Sequence, residues 1–459
     1  MAEKIAMAEM QQKTMLTDLY QLTMAAAYGE NGKDDIATFE LFFRVLPNDW
    51  GHYIANGIED AVDYATNLRF DETDIDYLKG QGLFSEEFLA DLRDFKFEGE
   101  IYAVREGTPV FPNEPVVVVR AMRTQAQFLE TTLLNIINFQ TMIATKANRV
   151  VNAAQGAKVV DSGLRRAQGE DAAMKGARAA YIGGAVATSN VKAGKEYGIP
   201  ISGTHAHSFV MSFPTEIEAF RAYVKTFPNN ATLLIDTYDT VHGAKNAAAI
   251  AKELEARGHK LGAVRLDSGD LAGLSKKVRE VLDEEGLGYV KIVASNDLNE
   301  YKIDDLIREG ARFDAYGVGT EMITAKPVAA IPGVYKLVED TDGPKIKLSP
   351  EKRTYPGRKQ VYRATAADGQ YTLDILALEH EDAEGTPLLE LVVKDGRRVA
   401  QRRTLTEIAR YAADCVAKLP QHLKDVRVEQ PYRIVFSSGL SKVVDELTGK
   451  YAQAKAAME

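Results

Sequence analysis

Reactive side chains recur between residues 159 and 320, at points where short apolar runs break into polar, glycine-containing turns. The turns supply carboxylates, imidazoles, guanidinium groups and flexible backbone. Arginine suits phosphate or carboxylate groups, carboxylates can hold Mg²⁺, and glycine lets the backbone approach a ligand. The turns are VVDSGLRR (159–166), VATSN (186–190), ISGTHAHS (201–208), LLIDTYDT (233–240), AVRLDSGD (263–270), KIVASNDL (291–298) and FDAYGVGT (313–320).

Aspartates follow three successive apolar runs, at Asp236, Asp267 and Asp297. A single aspartate after a strand is commonly the N-cap of the next helix, and we interpret Asp270 in this way. Three such turns that converge on one place are harder to explain as caps alone. One carboxylate could orient a histidine and another could hold Mg²⁺.

Two histidines, His205 and His207, lie in the turn GTHAHS. In an extended segment alternate residues point to the same face, so we expect both rings to face the same site. A histidine in an apolar setting is more often structural than catalytic. The position after a strand and the small neighbouring residues favour a catalytic role for at least one of the two.

The cationic candidates are Arg165 and Arg166 in GLRRAQG, and Arg265 in AVRLDSGD. A guanidinium at a strand end offers a planar fork for a carboxylate or a phosphate. Spacing alone favours an ion pair with a nearby aspartate equally. The turn YGVGT (316–320) adds a glycine-rich backbone where phosphate sites often lie in barrel enzymes. Together these groups suit chemistry on a phosphorylated sugar.

Parallel strands that alternate with helices would position these groups. Successive strand-end aspartates stand about 30 residues apart, the length that a strand–helix unit needs. Residues 270–286 have helical spacing, and Thr215 with Glu218 marks another helix start. We therefore predict a parallel α/β barrel of the TIM type, with its active site at the carboxyl ends of the strands.

The flanking segments predict a second domain. Residues 17–28 suggest a helix, 36–46 a strand, 99–121 two strands and 124–150 one or two helices, and strands return after residue 333. We expect a second α/β domain assembled from both chain ends. The predicted boundaries are 1–125 for its N-terminal part, 126–335 for the barrel, and 336–459 for its C-terminal part with a helical tail.

Composition narrows the class of protein. A chain of 459 residues is too long for one ordinary core. The single cysteine, Cys415, cannot form an internal disulfide. The N-terminus MAEKIAMAEMQQK lacks the apolar core of a signal peptide, and no apolar run approaches ~18 residues. We expect a cytoplasmic protein that binds no membrane, and the net charge of −10 argues against nucleic acid as a partner.

Taken together, these motifs resemble the nicotinate phosphoribosyltransferases, which belong to the type II phosphoribosyltransferase class. No single motif decides the resemblance, but their number and order are specific. The matching segments span nearly the whole chain: TDLYQLTMAAAY, FELFFRVLP, GLRRAQG, GGAVATSNVKAG, GTHAHSFV, LLIDTYDT, VRLDSGDL, SNDL, GVGT and KLSPEKRTYPGRKQVYR.

The resemblance implies the fold and the reaction. The parallel α/β barrel would be irregular, and the second domain would be an α/β sandwich built from both chain ends. Members of this family convert nicotinate and phosphoribosyl pyrophosphate to nicotinate mononucleotide and pyrophosphate, and ATP hydrolysis drives the step. His207 would be the histidine that ATP phosphorylates, and Asp236 would be its orienting partner. Asp267 would lie near pyrophosphate bound to Mg²⁺ and contribute to the metal site.

The resemblance also implies the substrate contacts. Tyr20 would stack on the pyridine ring across a homodimer interface, while Arg265 and Thr204 would contact nicotinate. Arg165, Gly319 and Thr320 would face the phosphoribosyl group. His205 receives no role from the resemblance.

Ser189 bears on whether the site would accept the acid nicotinate or the amide nicotinamide. Nicotinamide-using relatives carry an acidic residue near this position, and a carboxylate there would repel nicotinate, so a neutral Ser189 favours the acid. A nicotinamide- or quinolinate-using phosphoribosyltransferase stays an alternative, as does a catalytically silent ligand sensor on the same scaffold. The joint presence of the predicted catalytic residues disfavours the sensor.

Overall fold

The computed structural model describes residues 13–349 and 352–456, which form two compact units. The central unit comprises Ile143–Ala329 and Lys424–Arg427, and the terminal unit comprises the rest. The sequence placed the first change of domain at 125/126, within a stretch where the structure continues as helix to Ala153. Residues 1–12, on which the prediction about a signal peptide rests, lie outside the described residues.

The N-terminal part of the terminal unit confirms the predicted helix at 17–28, the strand at 36–46 and the helices at 124–150. Between 99 and 121 three strands form instead of two, because Pro109–Val110 leaves the turn to pair with Tyr53–Ile54. The strands are β1 Ile36–Phe43, β2 Tyr53–Ile54, β3 Glu100–Val104, β4 Pro109–Val110 and β5 Pro115–Met122; the helices are Leu19–Glu30, Ile58–Asn67, Glu72–Gly80, Glu86–Arg93, Arg123–Phe128 and Glu130–Ala153, the last of which continues into the central unit.

The central unit alternates strands with helices, as the 30-residue spacing predicted. Its strands are β6 Lys158–Asp161, β7 Ala187–Thr188, β8 Thr232–Leu234, β9 Ala263–Leu266, β10 Lys291–Ala294 and β11 Ala315–Val318. Its helices are Glu170–Ile182, Val191–Tyr197, His207–Met211, Glu216–Thr226, Thr240–Glu255, Leu271–Glu284, Glu300–Arg308 and Thr320–Ile323, with a 3₁₀ turn at Leu164–Arg166.

All strand pairs of the central sheet are parallel, in the order β7–β6–β11–β10–β9–β8. The last strand, β11, therefore lies beside the first, β6, as in a barrel. An isolated parallel bridge joins Thr188 to Ile201 and extends the sheet beyond β7. Within the described residues no ladder joins Ile201 to β8, so the sheet is a curled half-barrel that is open on one side.

Apolar burial and capping explain these elements. Leu233, Val264 and Ile292, on three neighbouring strands, are fully buried in one core with the helices that follow them. Burial of both faces is why these strands consist of near-continuous apolar runs. The predicted caps are confirmed: the Asp270 carboxylate accepts the N–H of Gly273, and Thr215 caps the helix Glu216–Thr226.

The elements of the C-terminal segment are β12 Gly333–Asp340, β13 Gly343–Pro344, β14 Lys359–Thr365, β15 Tyr371–Leu378, β16 Thr386–Pro387, β17 Leu389–Lys394, β18 Arg397–Arg398, β19 Ile434–Phe436, the helices Leu405–Ala417 and Ser438–Ala456, and a 3₁₀ turn at Gln421–Leu423. Strands from both chain ends share one antiparallel sheet in the terminal unit, in the order β13–β12–β1–β5–β3–β17–β18. A second sheet has the order β16–β14–β15–β19 and contains one parallel pair, β15–β19.

In the described part of the chain, no helix has both the length and the apolar character needed to cross a membrane.

Candidate active site

The predicted site residues of the central unit gather at one edge of the parallel sheet. Asp236 comes two residues after the end of β8, Asp267 directly follows β9, and Gly319 directly follows β11. Because the strands are parallel, their carboxyl ends lie on the same edge. The structure therefore brings these strand-end residues to one edge of the sheet, and their role as an active site stays a prediction.

The imidazole of His207 is held by two neighbours. His207 is the first residue of the helix His207–Met211, and its ring is partly exposed. Its Nδ1 lies 3.1 Å from the hydroxyl of Thr237. Its Nε2 lies 3.9 Å from a carboxylate oxygen of Asp267. The ring is therefore oriented while solvent and small ligands can still reach it.

Asp236 acts on Asp267 rather than directly on the histidine. One oxygen of the Asp236 carboxylate accepts the backbone N–H of Asp267 at 2.8 Å and the hydroxyl of Ser268 at 2.6 Å. Its other oxygen is buried and has no hydrogen-bond partner among the described residues. The resemblance implies that Asp236 orients His207. In the described residues its carboxylate is directed to the β9 turn, which carries Asp267, and the orienting role stays a prediction.

Asp267 is held by the turns that follow the two neighbouring strands, through Asp236 after β8 and Ser295 after β10. Its Oδ1 accepts a hydrogen bond from the hydroxyl of Ser295, the first residue after β10. Its Oδ2 is the oxygen that faces His207. Two strand ends therefore set the orientation of a carboxylate that contributes negative charge beside the imidazole.

Arg265 is a charged side chain with a hydrogen-bond donor, Nε, that has no partner among the described residues. Its Nη2 donates to the carbonyl oxygen of His205 at 3.2 Å. Its Nε is buried and makes no hydrogen bond with the described part of the chain. Burial lowers the pKa of Arg265, and the carboxylates of Asp267 and Asp236 oppose that change. Since arginine nevertheless stays protonated, the site presents a fixed cation to an anionic ligand.

The ring of His205 does not face the site, contrary to the prediction. A helix begins at His207, so the alternation of an extended segment does not continue from His205 to His207. The His205 ring is buried beside Phe209 and Tyr223, at centroid distances of 5.3 and 4.7 Å. Its carbonyl oxygen accepts the hydroxyl of the half-buried Thr204 at 3.2 Å.

The glycine-rich turn after β11 packs against the turn after β6. The backbone N–H of Ser162 donates to Val318 at 2.9 Å. A Cβ atom on Gly319 would lie 3.1 Å from the Ser162 carbonyl oxygen, and one on Gly163 would lie 2.6 Å from a side-chain carbon of Ile323. A side chain at position 163 would clash and one at position 319 would be tight, so glycine at both positions favours this close approach. It brings Gly319 and the neighbouring Thr320 close to the turn that carries the exposed Arg165.

Comparison with known proteins bears on this arrangement. Three family descriptions match the chain: the nicotinate phosphoribosyltransferase N-terminal domain at residues 15–138, the nicotinate phosphoribosyltransferase family at 157–335, and the nicotinate phosphoribosyltransferase C-terminal domain at 382–444. A nicotinate phosphoribosyltransferase of Mycobacterium tuberculosis is 44% identical over 413 residues, which cover 90% of this chain and 89% of the relative. The chain belongs to the nicotinate phosphoribosyltransferase family.

Further relatives agree with this assignment. The nicotinate phosphoribosyltransferase of Bacillus subtilis is 41% identical, with 92% of each chain covered. The crystal structure of human nicotinic acid phosphoribosyltransferase superposes with a TM-score of 0.83 at 29% identity, and it covers 94% of this chain and 99% of that one. The chain is therefore an enzyme of this family, and its α/β fold is the fold of the human protein.

Two residues that contribute to this candidate site were not predicted from the sequence. One is Thr237, which contacts His207, and the other is the buried Asp161 at the end of β6. Asp161 accepts the N–H of Gly163 at 2.9 Å and the hydroxyl of Thr188 at 2.7 Å, and burial raises its pKa. Both residues lie inside strand-end turns that the sequence analysis lists, so their position in these turns was the signal that could have predicted them.

Asp161 also organises the turn that carries Ser189. The backbone N–H of Ser189 donates to the Asp161 carbonyl oxygen at 2.7 Å, while the Asp161 carboxylate holds Thr188. The half-buried Ser189 is thereby fixed beside the end of β6. The two turns that were predicted to contact substrate are linked through one buried carboxylate.

Tyr20 belongs to the terminal unit. It lies in the first turn of the helix Leu19–Glu30 and is 46% exposed. Its hydroxyl donates to the Glu130 carboxylate at 3.3 Å, and burial followed by the charge of Glu130 raises its pKa. The phenol is therefore neutral, and part of its surface is available for packing.

The carboxylates of Asp236 and Asp267 are the candidate ligands for a metal ion in this site. Within the described residues no group of three or more His, Cys, Asp or Glu side chains is arranged to hold a metal ion. Mg²⁺ in proteins is often held by one or two carboxylates, with substrate phosphates and water as the remaining ligands. Asp267 and the unpaired oxygen of Asp236 fit that mode of binding.

Proposed function

We propose that this enzyme transfers the phosphoribosyl group of phosphoribosyl pyrophosphate to nicotinate, that it releases nicotinate mononucleotide and pyrophosphate, and that ATP drives the step through a phosphohistidine at His207. The observation that carries the proposal is the oriented His207 ring, which lies beside Thr237 and Asp267 at the sheet edge that also holds Arg265. The names of the relatives support the same substrates.

The transfer step needs positioning more than proton transfer. The lone pair of the pyridine nitrogen forms a bond to the anomeric carbon of the ribose, and the carbon–oxygen bond to pyrophosphate breaks, with its electron pair leaving on pyrophosphate. The ring nitrogen carries no proton to remove at neutral pH. Arg165, with the backbone around Gly319 and Thr320, would hold the phosphoribosyl group, and Arg265 with Thr204 would hold the nicotinate carboxylate.

We propose Nε2 as the nitrogen of His207 that reacts, in the tautomer that carries its proton on Nδ1. A neutral imidazole has one N–H donor and one acceptor nitrogen. When Nδ1–H donates to the Thr237 hydroxyl, the Nε2 lone pair points toward the side of Asp267. Nε2 would then attack the terminal phosphorus of ATP, and ADP would leave with the electron pair of the broken bond. The added negative charge would couple ATP use to substrate and product binding.

Asp267 and Asp236 would hold Mg²⁺ together with pyrophosphate oxygens. The bound ion would neutralise charge that develops on the leaving pyrophosphate. Ser295 and Ser268 keep the two carboxylates in place through hydrogen bonds.

At the level of the fold, we propose that the curled central sheet is the catalytic barrel of a TIM-like domain, and that the two chain ends build an α/β sandwich domain.

We also propose a homodimer with shared active sites. The terminal unit exposes an apolar patch on neighbouring positions, which consists of Leu16, Leu19 and Tyr20, exposed by 47%, 54% and 46%. A second copy that covered this apolar patch could place its Tyr20 on the pyridine ring of the first.

Ser189 is expected to control the choice between acid and amide. In the variant Ser189→Asp the new carboxylate would repel nicotinate and could accept the N–H of nicotinamide. We expect the KM for nicotinate to rise by about tenfold or more, because like charges placed together cost several kcal/mol. Ser189→Asn, which is neutral and of similar size, is the control. Equal nicotinate KM values for the two variants would contradict the charge argument.

Gly319 is expected to control binding of the phosphoribosyl group. In Gly319→Val the side chain would press on the Ser162 carbonyl, 3.1 Å from the Cβ position. Overpacking typically costs about 1–3 kcal/mol, so we expect the KM for phosphoribosyl pyrophosphate to rise about tenfold with less change for nicotinate. Gly449→Val is the control, because no described atom lies within 4 Å of its Cβ position. An unchanged KM in Gly319→Val would disprove the assignment.

One assay separates the proposed activity from its rivals. The purified enzyme is supplied with phosphoribosyl pyrophosphate, Mg²⁺ and ATP, and with nicotinate, nicotinamide or quinolinate in parallel. We expect turnover of nicotinate well above that of the other two. Preference for nicotinamide or quinolinate would favour the corresponding alternative, and binding of nicotinate without any turnover would favour the ligand sensor.

A further inference from the structure

The open side of the central sheet is crossed by a side chain. The edge strand β8 pairs with β9 on one side, and the chain that leaves the Thr188–Ile201 bridge runs past its other side. There the backbone N–H of Leu234 donates to Nε2 of His205 at 3.3 Å. An imidazole thus occupies the place of a carbonyl oxygen that a further strand would supply.

This bond requires a neutral imidazole, which the surroundings provide. Burial is the main cause that lowers the pKa of His205, to about 4, and the charges of Arg265 and His207 act in the same direction. Since Nε2 accepts a hydrogen bond, the ring proton lies on Nδ1. The edge of the ring meets Tyr223 at a centroid distance of 4.7 Å, and Phe209 lies at 5.3 Å.

The same residue is connected to two groups of the site. Its carbonyl oxygen accepts a hydrogen bond from Nη2 of Arg265 at 3.2 Å. Two residues further along, His207 begins the helix that directs its ring toward Thr237. The His205 ring therefore anchors the backbone from which both Arg265 and His207 take their positions.

We propose that His205 is a positioning residue: its neutral ring closes the open side of the parallel sheet and thereby sets Arg265 for the acid substrate and His207 for phosphorylation. This inference rests on the function proposed above. Substrate is not required for the Leu234–His205 contact itself, so the closure can be measured independently of turnover.

The test compares His205→Leu, which fills the apolar site without an acceptor, with His205→Gln, which keeps an acceptor oxygen. Hydrogen exchange of the Leu234 amide is measured by mass spectrometry on overlapping peptides. We expect slow exchange in the wild type and about tenfold faster exchange in His205→Leu, the factor expected when one hydrogen bond is lost. His205→Gln should restore most of the protection.

Kinetics on the same variants then separate positioning from packing. We expect the KM for nicotinate and the ATP consumed per product to rise several-fold in His205→Leu, with recovery in His205→Gln. Recovery of neither quantity, or wild-type values in His205→Leu, would overturn the proposal. If His205→Leu does not fold, rapid exchange of the Leu234 amide in the wild type would overturn it. Correct exchange behaviour in an enzyme that lacks turnover would refute the proposed function alone.

Discussion

The variant His207→Ala is expected to lose all stimulation of product formation by ATP. Alanine has no nucleophilic nitrogen, and neither Thr237 nor Asp267 can take over the phosphoryl group in the same position. Coupling free energies of about 1–3 kcal/mol correspond to effects of 5–150-fold, so we expect the rate with ATP to fall by that order, to the rate without ATP. Labelled ATP should leave no acid-labile phosphate on the variant.

The control for this experiment is His259→Ala. His259 precedes β9 and therefore lies toward the opposite edge of the parallel sheet from the strand-end site, where its ring contacts Asn229 at 2.9 Å. This variant should be labelled and stimulated like the wild type. Wild-type labelling of His207→Ala would show that another residue accepts the phosphoryl group, and the role proposed for His207 would be wrong.

The variant Arg265→Ala is expected to raise the KM for nicotinate by about 30-fold or more. Removing one partner of a buried, charge-assisted contact costs about 2–5 kcal/mol, and the buried Nε of Arg265 has no partner among the described residues. The contact of Arg265 with the His205 carbonyl would be lost as well. Steady-state kinetics with nicotinate as the varied substrate measure the effect.

Two comparisons make the Arg265 result specific. Arg265→Lys keeps the charge but not the planar fork, so a partial loss is expected. Arg308→Ala removes an exposed arginine that pairs with Asp304 on its own helix, and the KM should stay unchanged. If Arg265→Ala changed kcat and left the KM for nicotinate at its wild-type value, the arginine would not be the group that binds the substrate carboxylate.

Strand-end turns were the most reliable signal in the sequence. Short apolar runs that are followed by polar turns and amphipathic helices strongly predict parallel strands, because few other folds are compatible with this repeated local pattern. The helix after Asp270 and its cap were confirmed for the same reason. Residues in such turns must meet at one edge of the sheet, whatever the details of packing.

Side-chain pairings within the turns could not be read in this way. Spacing did not predict that the Asp236 carboxylate is directed to the β9 turn, because an aspartate can turn to either of two neighbouring loops and backbone geometry decides between them. The predicted shared orientation of His205 and His207 was wrong because a helix starts between them. Both cases concern rotations of a few residues, to which sequence spacing is insensitive.

The sequence by itself determined the family, the parallel α/β core and the set of reactive groups, since these depend on residue types, their order and their local periodicity. Tertiary structure alone decided that the sheet is open between Ile201 and β8, that the His205 ring crosses the gap, and that Thr237 and Asp267 are the neighbours of His207. These features depend on contacts between segments some 30 or more residues apart. Such contacts are fixed by packing and by the need to satisfy buried polar groups, which no local pattern records.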